Sequence, residues 1–185
     1  MREGSTGGCS RATKEANLAA ARQSAIDMAQ MIFVPMTRDE AQALRSGTAA
    51  NPYRGCAATP GLAASLEAGM VMEEAEYAAL SNAGVLALVL RPNEPRLVVA
   101  AEVAEQQVRD LDQSHGEVEV DGLVWAQVRA FFADEPDALQ AVTLAGKAVA
   151  GQNLAAALAA PAVAAVLDGY DLLWFAPDEL DQLSA

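Results

Sequence analysis

Hydrophobic and polar positions along this chain switch between a strand-like and a helix-like period, and the switches mark its elements. Met31-Ile32-Phe33-Val34-Pro35-Met36 is an apolar run that predicts a strand, and the thirty residues before it show no comparable run. The folded domain is therefore expected over residues 31–185, with residues 1–30 a disordered tail or an overcalled start. Thr37-Arg38-Asp39-Glu40 has the form of a capping box, in which the threonine hydroxyl takes the Glu40 amide and the glutamate reaches back. A short helix to Ser46 follows, and Gly47 closes it, because glycine accepts the left-handed conformation that ends helices. Residues 48–55 read as a loop around the turn dipeptide Asn51-Pro52, and residues 56–58 as a short extended piece. Thr59-Pro60 puts a capping hydroxyl before a proline at the first helical position, so a second helix runs toward Gly69.

Residues 72–90 predict a long helix with Tyr77, Leu80, Gly84, Ala87 and Leu88 on one face and Glu73, Glu74 and Glu76 in its first turns, where the macrodipole favours acids. Residues 97–103 are almost continuously apolar, the pattern of a central strand covered on both faces. Residues 117–120 alternate, and Asp121-Gly122 is a hairpin dipeptide that would join them to a strand over residues 123–132. Asp134 and Pro136 start a helix carrying Leu139, Val142, Gly146 and Val149 at helical spacing up to Gly151. Residues 154–167 form an alanine-rich helix that Pro161 must kink or divide. Residues 171–175 are a last strand, and Pro177-Asp178-Glu179-Leu180 opens a final helical turn. With no internal repeat and no linker, this order describes one α+β domain. It resembles a ferredoxin-like α/β sandwich variant, with helices on one face of a mixed or antiparallel sheet and an extra helical pair.

Charge narrows the function. The first thirty residues carry four bases against three acids, so of the −13 total the remaining 155 residues hold −14, from 22 acids and 8 bases. Such a domain repels phosphate backbones and anionic lipid heads, whose capture depends on lysine and arginine. Nucleic acid and membrane surfaces are excluded as expected partners. Cys9 and Cys56 are the only cysteines and make neither a disulfide framework nor a zinc-ligand pair, so a reducing cytoplasm is the expected location. The longest uncharged apolar run, residues 154–167, is too short to cross a bilayer of about 30 Å.

The densest candidate chemistry is Asp110, Asp112, His115, Glu117, Glu119 and Asp121, which sets the only histidine among five carboxylates. Residues 117, 119 and 121 share a strand face and could converge on a hard cation. The segment also has the acids of a calcium loop at positions one and three, but its glycine falls at position seven and Asp121 stands where that loop has glutamate. A solvated hairpin face accounts for the same pattern. Cys56 with His115 would make a thiolate pair only if the fold joined them. Arg54 is one of few bases and suits a carboxylate or phosphate. Trp125, Phe131, Trp174 and Phe175 read as core or interface packing rather than as a stacking platform for bases.

Five segments in order carry a family resemblance: residues 32–37 (IFVPMT), 58–62 (ATPGL), 74–80 (EAEYAAL), 96–103 (RLVVAAEV) and 172–180 (LLWFAPDEL). Over about residues 31–183 the chain resembles the actinobacterial domain of unknown function 6912 family. The resemblance implies an outline and no activity. The leading expectation is thus a small noncatalytic protein-binding or regulatory module, with an unknown protein partner or self-association and no cofactor. The alternative is a divalent-metal-dependent hydrolase built on the acidic cluster around His115. Convergence of three of its carboxylates in a concave pocket would favour the enzyme, and exposed Leu, Trp or Phe on a sheet would favour the binding module.

Overall fold

The computed structural model describes residues 29–49, 51–66 and 72–183. Residues 1–28 of the expected tail, with Cys9, and the helix end at Gly69 lie outside the described residues, whereas Ala29 and Gln30, expected in the tail, begin the first strand and pair with Ala104 and Val103. Strand β1 (Ala29–Pro35) is followed by helix α1 (Arg38–Arg45), strand β2 (Tyr53–Ala57), helix α2 (Pro60–Ser65) and the long helix α3 (Met72–Leu90). Strands β3 (Leu97–Ala104), β4 (Val108–Asp112), β5 (Glu117–Val120) and β6 (Val128–Ala133) come next. Helices α4 (Leu139–Val149), α5 (Leu154–Leu158) and α6 (Pro161–Gly169) then lead to the short strand β7 (Leu173–Phe175) and a 3-10 segment, Pro177–Gln182.

The sheet has the order β4-β5-β2-β1-β3-β6-β7, and every pairing in it is antiparallel. It curls, and the chain itself demonstrates this. Glu105–Gln107 alone connects β3 to β4, although four strand spacings of about 4.8 Å separate the two along the sheet. Four virtual bonds span at most about 14 Å, so a flat sheet would leave β4 out of reach. Gln107 stitches the closing side: its Nε2 donates to the carbonyls of Asp121 and Gly122, each at 3.0 Å, and its Oε1 accepts from Gln127 Nε2 at 2.7 Å.

Alternation along the strands divides the core into two. Phe33, Cys56, Val98 and Ala100 face outward from the curl and pack under α3, α4, α5 and α6. Ile32, Val34, Val99, Val118, Val120 and Phe131 face inward, where Ala41 and Leu44 of α1 and Leu180 and Leu183 of the C-terminal segment cover them. The α+β class and the antiparallel sheet stand as expected. The sheet is larger and more curled than a ferredoxin-like sandwich, and helices cover both faces rather than one. The cause is β3: buried on both sides, it needs a second layer, and α1 with the C-terminal segment supplies it.

Local signals placed most elements. Thr37 Oγ1 accepts the Glu40 amide at 3.1 Å and Glu40 Oε2 accepts the Thr37 amide at 2.7 Å, completing the capping box. Pro161 divides α5 from α6, since it opens the second helix and cannot continue the first. The expected hairpin across Asp121-Gly122 is corrected: β5 pairs with β2 and β4, and β6 pairs with β3. Gly122 does turn the chain, at φ +66°, but the 3-10 turn Trp125–Gln127 then carries it away from β5 toward the far half of the sheet. The hairpin is β4–β5, closed by Gly116 at φ +71°.

Candidate functional site

The acidic cluster around His115 lies at the β4 end of the sheet, and its members go separate ways. Register places Arg54, Glu117, Glu119 and Arg109 on one face, because Arg54 and Arg109 both stand opposite Glu119 and Cys56 stands opposite Glu117. Arg54 closes on buried Glu117, its Nε donating to Oε1 at 2.9 Å, and Arg109 Nη2 donates to Glu119 Oε1 at 2.6 Å. Arg54 does hold a carboxylate, and it is the protein's own. Asp110 sits opposite Val118, on the other face, and accepts from Gln113 Nε2 at 2.7 Å. Asp121 accepts the Gly122 amide at 2.9 Å.

Asp112, Ser114 and His115 form a self-contained turn. Asp112 Oδ1 accepts from Ser114 N at 2.9 Å and Ser114 Oγ at 2.5 Å, and Oδ2 meets His115 Nδ1 at 2.8 Å. The Ser114 hydrogen bond and then His115 hold the Asp112 carboxyl down to about 2. Ser114 Oγ also approaches His115 Nδ1, at 3.0 Å. A hydrolytic triad sets serine on the histidine nitrogen remote from the carboxylate, whereas serine and carboxylate here share Nδ1. Among the described residues no three His, Cys, Asp or Glu side chains stand together as a metal site. Cys56 is fully buried in β2, no hydrogen bond joins it to His115, and burial, reinforced by Glu117 and opposed by Arg54, pushes its thiol up.

The opposite end of the sheet is built differently. β7 ends it with three residues in register with β6: Leu173 opposite Ala133, Trp174 opposite Phe132 and Phe175 opposite Phe131. Phe131 is fully buried, yet Trp174 is 60% and Leu173 45% exposed, because among the described residues no further strand or helix covers the edge. The other tryptophan is unlike it: Trp125 sits in a 3-10 turn, half-buried, 5.9 Å from the Phe131 ring with the Arg45 guanidinium 6.0 Å over it.

Two clefts flank this edge. One, about 350 Å³, lies between α3, α6 and the chain entering β7, with Leu80, Phe132, Leu167 and Leu172 as apolar walls. The other, about 400 Å³, lies on the inner side between Pro95, Leu97, Phe175 and Leu183. Arg96 lines both. Its side chain is 2% exposed and that of Asp134 not at all. Arg96 Nε and Nη2 donate to Asp134 Oδ1 at 2.8 and 2.6 Å, the Arg96 amide donates to Oδ2 at 2.6 Å, and Nη2 also reaches the Tyr170 carbonyl at 3.1 Å. This pair ties the start of β3, the end of β6 and the approach to β7 into one rigid corner. Sequence reasoning missed it, although an arginine directly before a β-branched strand and an aspartate directly after another were visible signals.

A family model described as a family of unknown function (DUF6912) matches residues 30–184. No curated protein and no solved structure matches the chain. The matched span takes in the curled sheet, all but Ala29, and the helices on both its faces, so the chain belongs to this family of unknown function.

Proposed function

We propose that the protein is a noncatalytic binding module that takes an extended segment of a partner protein on the open edge of β7. The observation that carries this reading is Trp174 with Leu173, two large apolar side chains exposed on a terminal strand. Sheet edges are ordinarily blunted by charge or cover, since their free amides and carbonyls template a further strand. β4, at the other end, is blunted by Arg109, Asp110 and Asp112. β7 has an aromatic residue there.

Charge supports a basic occupant. Residues 148–185 contain Asp168, Asp171, Asp178 and Glu179, together with Asp181, which Arg45 of α1 pairs, and no lysine or arginine. An apolar strand rimmed by acids suits a segment that alternates aromatic or β-branched residues with lysine or arginine. A second copy is disfavoured, because two domains of −14 would bring their acidic rims together. A reducing cytoplasm suits the buried free thiol of Cys56.

A displayed peptide library panned against the full chain, with Trp174→Lys as the counter-selection, tests this. Enrichment of basic, alternating apolar sequences that the variant does not retain is expected, with affinity falling as salt rises. Acidic sequences, equal retention by the variant, no enrichment, or a concentration-dependent dimer that Trp174→Lys abolishes would each overturn it.

A further inference from the structure

The cleft between α3 and α6 has features the β7 edge does not use. Its walls are apolar, but its floor is a guanidinium from which Nε and Nη2 are taken by Asp134 and Tyr170, while Nη1 has no hydrogen-bond partner among the described residues. Gly84 of α3 lies beside this nitrogen: a Cβ there would stand 3.8 Å from Nη1 and 3.4 Å from Leu172 Cδ1. Asp171, which is exposed, lines the cleft too, as do Ser81, Tyr77 and Tyr170. A cleft of about 350 Å³ falls at the small end of ligand sites, which are mostly apolar with a few converging polar groups.

The charge pattern selects the ligand. Arg96 and Asp134 sum to zero and the domain is strongly acidic, so a simple anion would enter with no net compensation. A zwitterion brings its own. One acceptor must reach Arg96 Nη1 at the floor, one cation must stay near Asp171, and the remainder must fill the space between Leu80, Phe132, Leu167 and Leu172. We propose that this cleft binds a free α-amino acid with an apolar side chain of leucine to phenylalanine size, its carboxylate on Arg96 and its ammonium facing Asp171. A peptide end offers one of those two charges at a time and meets half of the site.

Isothermal titration of the full chain with L-leucine and L-phenylalanine tests the proposal. Binding of at least one is expected, with 3-phenylpropionate and L-phenylalaninamide each weaker by tenfold or more. Arg96 variants risk unfolding, so the informative change is Asp171→Asn, at an exposed position, expected to weaken the amino acid at least fivefold and leave 3-phenylpropionate unchanged. Leu80→Trp, which fills the cleft from its wall, should abolish binding while leaving peptide capture at Trp174 intact. No heat with either amino acid, equal affinity for 3-phenylpropionate, or an Asp171→Asn variant that binds normally would overturn it.

Discussion

Removing the Asp134 carboxylate is the sharpest test of how the β3–β6–β7 corner is held. Its side chain is fully buried and that of Arg96 is 2% exposed, so Asp134→Ala strands a guanidinium away from water with the Tyr170 carbonyl as its remaining protein partner, and also frees the Arg96 amide. Breaking such a pair from one side costs about 3–5 kcal/mol, a large fraction of the roughly 5–15 kcal/mol that holds a domain folded. For a chain of this size that corresponds to a fall in Tm of about 6–20 °C. Arg96→Met alone leaves the carboxylate buried instead and should cost a similar amount. The double variant removes both charges and loses chiefly two backbone partners, at about 1–3 kcal/mol each at most. Its cost should therefore fall well short of the sum of the single variants. Urea unfolding of the four chains gives the coupling directly, from midpoints at constant slope. A single-variant cost below about 1 kcal/mol, or a double variant equal to the sum, would refute the claim that the pair acts as a unit.

Two further tests probe packing and the buried thiol. Gly146 of α4 sits against the Pro92 backbone, where a Cβ would lie 2.5 Å from the carbonyl oxygen and 2.9 Å from Cα, whereas at Gly84 the nearest contact would be 3.4 Å. Gly146→Ala should thus lower the urea midpoint, while Gly84→Ala, also mid-helix, should leave it unchanged or raise stability by up to about 1 kcal/mol; the reverse order would count against this packing. Cys56, raised by burial, favours its protonated form in the folded state. Its contribution is therefore full below the ordinary thiol value of about 8.5 and declines as pH rises above that toward the folded value. In a Cys9→Ser chain at pH 8, iodoacetamide should label Cys56 at least about a thousandfold more slowly than in urea, since labelling needs the unfolded state; a ratio under tenfold would contradict its burial.

Two elements show where local and long-range information part. The Thr37–Glu40 capping box and the Pro161 break were legible because each rests on hydrogen bonds or clashes within four residues. β4 was not legible, since Val108–Asp112 is an edge strand carrying Arg109, Asp110 and Asp112 and has no run of apolar alternation to betray it. Asp121-Gly122 has the form of a hairpin dipeptide and does turn the chain, yet the strands that flank β5 are β4 before it and Tyr53–Cys56 of β2, more than sixty residues earlier.

The candidate sites divide in the same way. Adjacency in sequence made the carboxylates from Asp110 to Asp121 look like one group, and the pleat and register dispersed them: Asp110 to one face, Glu117 to Arg54, Glu119 to Arg109, Asp112 to its own turn. The sequence by itself determined the acidity, the central double-sided burial of β3 and the caps that start its helices, all of which depend on composition or on neighbours along the chain. Only the tertiary structure decided that β7 would be last in the sheet, leaving Trp174 exposed while Phe132 across the pairing is half-buried. It also joined Arg96 to Asp134 across 38 residues at the floor of a cleft. Strand order and ion-pair choice are set by which distant segments bury the most surface together, and no local pattern contains that information.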